Sequence, residues 1–163
     1  ALLLAVEPEY DTAAGQAAAA ALDTAEMVVT LSPFKTNLAF SDVLLPIAPF
    51  SETSGSFVNA EGRVQSFHAV VKPLAETRPA WKVLRVLGNL LGLQGFGFES
   101  SQDVLAAATT RPANLSNATQ ATIQLAATAA DPVVASIYQL DGLVRRAPSL
   151  QLTADAREQG VAA

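Results

Sequence analysis

Residues 41–65 read SDVLLPIAPFSETSGSFVNAEGRVQ, and the fold turns on this stretch. Val43, Leu44 and Leu45 form a short apolar run, closed by Pro46, which cannot donate to a strand ladder. That predicts a buried strand. Ile47 to Gly55 then reads as a loop carrying Pro49 and Glu52. Ser56 to Asn59 and Arg63 to Phe67 flank Ala60-Glu61-Gly62, the pattern of a hairpin with glycine at its turn. Phe67 to Val71 continues as a strand until Pro73.

Upstream, Leu2 to Val6 is a continuous apolar run, as in a strand buried on both faces. Glu7-Pro8 ends it. Asp11 or Thr12 caps a helix over Ala13 to Leu22, and Gly15 within that helix permits close approach to a sheet. Met27 to Leu31 is a second strand, and Asn37 to Phe40 a helical turn. The order predicts a right-handed βαβ unit with parallel strands.

Ligands of open α/β sheets sit beyond the carboxyl ends of the strands. Here that loop is Glu7-Pro8-Glu9-Tyr10-Asp11, without a G-x-G-x-x-G fingerprint. Its three carboxylates repel a polyphosphate more than a helix dipole of ~0.3–1 kcal/mol attracts it. Nucleotide binding at this turn is therefore disfavoured.

Downstream, Pro79 opens a helix over Ala80 to Leu91, with Trp81, Leu84, Leu87 and Leu91 on one face and Gly92 as the stop. Ser100 with Asp103 reads as a capping box for a helix to Thr109. Thr110 to Thr119 reads as a linker. It includes Asn114-Leu-Ser and Asn117-Ala-Thr, glycosylation patterns that mean nothing without secretion. Asp131-Pro132 turns the chain and Val133 to Tyr138 reads as a strand. Asp141 caps a turn ending before Pro148, and Thr153 to Ala163 is expected to fray. The organisation is an α/β, Rossmann-like parallel-sheet fragment with a hairpin and C-terminal helices. It divides into an α/β part, 1–109, and a linker with a C-terminal appendage, 110–163.

The chain has 163 residues, net charge −5, no cysteine and one histidine, His68. Missing thiols exclude disulfides and thiolate metal sites within these residues, and one histidine does not make a triad or a histidine-based metal centre. Eight acids against Lys35 occupy residues 1–62, whereas Arg63 to Arg85 holds five bases against Glu76. With no basic stripe, nucleic acid is not an expected partner. No apolar run reaches the ~18–20 residues of a membrane span, and Ala1 to Val6 is not a signal peptide. The abrupt start, inside a strand, suggests a part of a longer polypeptide.

No catalytic set can be assembled. Glu52 and Glu61 read as an acid–base pair or, more simply, as carboxylates accepting backbone N–H groups. Arg63 either pairs with Glu52 or Glu61 or grips a phosphate through its fork. His68 is an edge or packed strand residue. Gly55 and Gly62 supply positive φ or close backbone contact, and Trp81 packs in the core. Arg145 and Arg146 anchor a partner or lie on a solvated face.

The central stretch resembles the C-terminal region of the molybdopterin oxidoreductase superfamily. The residues that carry the likeness are Asp42, Val43, Leu44, Leu45, Pro46, Glu52, Gly55, Asn59, Glu61, Gly62, Arg63 and Gln65, with Arg78-Pro79-Ala80-Trp81 following. Within the superfamily, the tail looks like the respiratory complex I branch, the large peripheral-arm subunit of the bacterial NADH–quinone oxidoreductase. Ile137, Tyr138, Asp141, Val144, Arg145, Arg146, Ala147, Pro148, Leu150, Gln151 and Thr153 carry that second likeness. The two together cover most of the chain. They imply a scaffold that has lost the molybdenum or tungsten pterin, so that Glu52, Gly55, Asn59, Gly62 and Arg63 are at most a vestigial pterin-side motif. They also imply iron–sulfur clusters N-terminal to these residues, none within them, and other peripheral-arm subunits of complex I as partners. The implied location is cytoplasmic, peripheral on the inner membrane without insertion into it. The alternatives are a formate-dehydrogenase-like fragment that retains its pterin and a free-standing α/β binding module.

Overall fold

A computed structural model describes residues 1–110 and 136–161; the expected linker, the glycosylation patterns and the Asp131-Pro132 turn lie outside them. In chain order the elements are β1 (Leu2–Leu4), α1 (Pro8–Asp11), α2 (Gly15–Asp23), β2 (Val29–Ser32) and β3 (Val43–Pro46). After a 3-10 turn at Phe50–Glu52 come β4 (Gly55–Val58), β5 (Val64–Phe67), α3 (Ala80–Leu90) and α4 (Ser101–Thr110). Four short helices end the described chain: α5 (Ile137–Leu140), α6 (Gly142–Arg145), α7 (Pro148–Gln151) and α8 (Ala154–Val161). The described residues form two compact units that do not follow chain order: residues 1–6 with 25–110, and residues 7–24 with 136–161.

In the first unit, β1, β2 and β3 make a parallel sheet in that order, with Leu3 opposite Thr30 and Thr30 opposite Leu44. The central strand is the dry one: Val28, Thr30 and Leu31 are fully buried. Thr30 keeps its hydroxyl paired with Ser41 Oγ at 2.7 Å, as burial of a polar group requires. Asp42 locks the entry to β3, because its carboxylate accepts Val28 N–H at 2.7 Å and its own N–H bonds Val28 O at 2.9 Å. Beyond β3, Ile47 pairs with Arg78, which brings the start of α3 alongside.

β4 and β5 form a separate antiparallel hairpin, Gly55 opposite Phe67 and Val58 opposite Val64. The strand ends at Phe67 rather than running to Val71. Val70 N–H instead bonds Ser51 O at 2.9 Å, so this backbone turns back to the preceding loop. β1 also departs from expectation: Leu2 and Leu4 are 50% and 43% exposed, because β1 is an edge of this sheet.

The region after β1 is not one helix from Ala13. Thr12 Oγ1 donates to Pro8 O and accepts Gly15 N–H, closing α1 before α2 begins. Gly15, at φ +37, starts α2, and a Cβ there would lie 3.3 Å from Glu9 O. Its close approach is to that α1 carbonyl.

α3 forms as its spacing predicts, with Pro79 as the N-cap and Gly92 at φ +68 past its end. Ser100 caps α4: its hydroxyl accepts Asp103 N–H at 3.1 Å, while Asp103 accepts the Ser100 and Glu99 N–H groups. The Ser100 N–H, helped by the Ser100 side chain and Glu99 N–H, holds the Asp103 carboxyl below its ordinary range. Ser100→Ala is expected to lower stability by about 1 kcal/mol, read as a shift in the denaturant midpoint at constant slope.

The second unit corrects two expectations and bears out a third, the Asp141-capped turn that ends before Pro148. Ser136 is an N-cap, its hydroxyl accepting Tyr138 N–H, so Ile137 and Tyr138 are helical rather than extended. Pro148 opens α7 at a position where its missing N–H is harmless. Thr153 to Val161 does not fray: α8 forms, Thr153 Oγ1 accepts Ala156 N–H, and Ala156 is buried.

Candidate functional site

The Glu52–Arg63 motif builds a turn and a loop clamp. Asn59 Oδ1 accepts the N–H groups of Glu61 at 3.0 Å and Arg63 at 2.9 Å. Asn59 also exchanges backbone bonds with Arg63 O and Gly62 N–H. Gly62 supplies φ +78, which a side chain would strain. Gly55 supplies the close contact: a Cβ there would meet Phe67 Cζ at 2.8 Å. Phe67 in turn stacks on Phe57 at 4.9 Å between centroids.

Glu52 does not pair with Arg63. Its Oε2 accepts Leu74 N–H at 2.8 Å, closing the excursion after the hairpin. Among the described residues Arg63 forms no ion pair, since Glu52 is engaged elsewhere and Glu61 lies at the turn. No acid–base pair is assembled: Glu52 serves the loop and Glu61 presents only its N–H to Asn59. His68 lies just past β5, exposed, and not in a strand. No cluster of three His, Cys, Asp or Glu side chains fit for a metal occurs among the described residues. Trp81 is half-buried, with Lys82 Nζ 5.4 Å from its ring centroid.

Arg145 and Arg146 occupy the most organised polar cluster, within the second unit. Arg145 Nη2 lies 3.1 Å from Glu7 Oε1 and its Nη1 3.2 Å from Asp11 Oδ1; Nη1 also donates to Gln139 O at 2.6 Å. Arg146 grips both oxygens of Glu7, at 2.8 and 2.9 Å. The Arg145 guanidinium also sits 4.7 Å from the Tyr10 ring centroid, a cation–π distance. The Arg145 side chain is 7% exposed and that of Glu7 12%. Burial pushes the Glu7 carboxyl up, but the Arg146 and Arg145 hydrogen bonds and charges outweigh it and hold the group below its ordinary range.

Two of the three carboxylates expected to repel a polyphosphate are thus ion-paired, and the third, Glu9, accepts from Gln16. Nothing in local sequence signals a pairing across 134 to 139 positions. The rest of the tail motif is equally structural. Asp141 caps α6 through the N–H groups of Leu143 and Val144. Gln151 Nε2 bonds Tyr138 O and Val144 O, and Tyr138 Oη donates to Asp155 at 2.8 Å.

The parallel three-stranded sheet followed by a hairpin with an N-x-E-G-R turn makes this an α/β domain fragment. The molybdopterin oxidoreductase family matches residues 1–90, and the chain belongs to that family. It is similar to a putative formate dehydrogenase of Staphylococcus aureus, 39% identical over 74 residues, covering 45% of this chain and 8% of that protein. It is also similar to the probable oxidoreductase YjgC of Bacillus subtilis, 38% identical over 66 residues, 40% of this chain and 7% of that protein. The chain therefore spans about 8% of the length of the curated relatives it matches.

Several groups of the Glu52–Arg63 motif are engaged within this chain. Asn59 Oδ1 and the engaged oxygen of Glu52 already accept backbone N–H groups of this chain, and Gly55 lies under the Phe67 ring. Arg63 is the one motif side chain with a phosphate-type fork to offer.

Proposed function

We propose that this chain is a cofactor-less scaffold and docking part of the large peripheral-arm subunit of a bacterial NADH–quinone oxidoreductase. One observation carries the reading. The tail residues that resemble the complex I branch act as caps, clamps and ion-pair partners of one another and of Glu7 and Asp11. Their work is mechanical. Electrons from NADH would pass through iron–sulfur clusters elsewhere in the parent subunit, and this part would brace neighbouring peripheral-arm subunits on the cytoplasmic face of the inner membrane. No described helix is long and apolar enough to cross a membrane, which suits a peripheral place. The match over residues 1–90 supports a family domain within 1–109, although residues 7–24 cluster with 136–161.

Docking through Arg145 and Arg146 would have to use whatever their pairing with Glu7 and Asp11 leaves available, so exposed apolar residues such as Phe57 and Val70 are the better candidates for contact. A second reading, a formate-dehydrogenase-like oxidoreductase that retains its pterin, is favoured by the similarity to a putative formate dehydrogenase. Metal analysis and an absorption spectrum of the purified chain, with a pterin guanine dinucleotide titration of the parent protein, separate the two. The scaffold reading expects no stoichiometric molybdenum, tungsten or iron in the chain and no pterin binding by the parent. Stoichiometric metal or saturable pterin binding overturns it.

A further inference from the structure

Two clefts in the first unit share a wall. One, of about 380 Å³, presents a mainly apolar surface, to which Phe67, Trp81, Val104 and Leu105 contribute, with His68 also in its lining. The other, of about 660 Å³, carries Lys72, Arg78 and Lys82 against a single carboxylate, Glu52. Thr53, Ser54, Trp81 and Ser101 belong to both. An apolar chamber thus adjoins a cationic one, in a chain whose overall charge is −5.

We infer that these adjoining clefts bind an amphipathic anion: a small molecule with an apolar chain or ring and one carboxylate-type head. The apolar chamber falls within the range of ~300–1,000 Å³ typical of small-ligand sites. Burial of hydrocarbon there supplies the affinity, at about 25 cal/mol per Å² removed from water. The head then meets three cations. Glu52 offsets them only in part, since one carboxylate faces three cations. Arg78 lines the cleft and commits only Nη1, to Thr77 O. Trp81 joins the two chambers, with Lys82 Nζ close enough to its ring for a cation–π contact. Neither cleft depends on the scaffold reading.

The probes are decanoate and decyltrimethylammonium, matched in chain and opposite in head, both used below micelle-forming concentrations. Trp81 is the sole tryptophan and His68 the sole histidine, so one emission band and one imidazole signal report on the site. Decanoate is expected to shift both saturably and to bind at least about tenfold more tightly than the cation, as loss of charge-assisted contacts implies. Lys72→Glu with Lys82→Glu, at two exposed positions, is expected to weaken decanoate by about tenfold or more without changing the far-ultraviolet circular dichroism. Ala108→Phe, which fills the apolar chamber, is expected to weaken it as well. Equal binding of the two amphiphiles, indifference to the charge reversal, or no saturable response overturns the inference. The head-group comparison decides the matter even if the chamber-filling variant does not fold.

Discussion

Arg145→Ala is expected to destabilise the second unit by about 2 kcal/mol, because Asp11 and Gln139 O lose a charged donor while Arg146 keeps Glu7 paired. The guanidinium is 7% exposed and serves Glu7, Asp11, Gln139 O and the face of Tyr10 at once. Arg146 remains on Glu7 in the variant, but the Asp11 carboxylate and Gln139 O lose their shared donor. Arg145→Lys is expected to recover little, since one ammonium does not reproduce a planar fork with several donors. Both tyrosines, Tyr10 and Tyr138, lie in this unit, and the only tryptophan lies in the other. Fluorotyrosine resonances therefore follow the second unit through a urea titration while Trp81 emission follows the first. Coincident, unshifted transitions in Arg145→Ala would show that the clasp contributes nothing.

The same clasp sets a pH dependence. The folded Glu7 carboxyl titrates below its ordinary value of 4.5, so the unfolded chain takes up its proton first as pH falls. The stabilisation is complete well above the unfolded value and is lost as pH drops through the folded one. Wild type should lose tyrosine-reported stability below about pH 4.5. Arg145→Ala should lose less over the same range, since only Arg146 then holds the Glu7 carboxylate.

Gly88→Ala is the second large effect, and its sign runs against helix propensity. Alanine in a helix interior is favoured over glycine by ~1 kcal/mol. At Gly88, buried in α3, a Cβ would stand 2.5 Å from Phe96 Cγ and closer still to Cδ1. The ring cannot retreat freely. Arg85 Nη1 donates to Phe98 O at 2.7 Å, Asn89 Nδ2 to Phe96 O at 3.3 Å, and Leu93 N–H to Gly88 O at 2.9 Å. Overpacking of this kind costs about 1–3 kcal/mol, enough to outweigh the propensity gain. The double variant Gly88→Ala with Phe96→Ala should restore part of that loss, and the coupling between the two is the quantity to measure. A Gly88→Ala chain as stable as wild type would place the ring elsewhere in solution.

The elements most legible in the sequence are those whose signals are local. Val43 to Pro46, the helix at Ala80, the Ser100 cap and the glycine turn at Gly62 follow from periodicity, a missing N–H or a required φ, and each reads within a few residues. The segments that depart from expectation are those where a distant partner takes a backbone group or a side chain. Val70 N–H bonds Ser51 O in place of a strand neighbour, and Glu52 accepts Leu74 N–H in place of Arg63. Thr153 to Ala163 reads as a frayed tail because α8, Ala154–Val161, is polar and short, so no apolar periodicity registers.

The positions of the strands along the chain, the parallel pairing of β1 with β2 and the hairpin turn were thus determined by the chain's own alternation of apolar runs and breakers. The partnership of Arg145 and Arg146 with Glu7 and Asp11 was decided only by the tertiary structure. A guanidinium recognises any carboxylate that packing brings within about 3 Å, and sequence distance carries no information about which one that is.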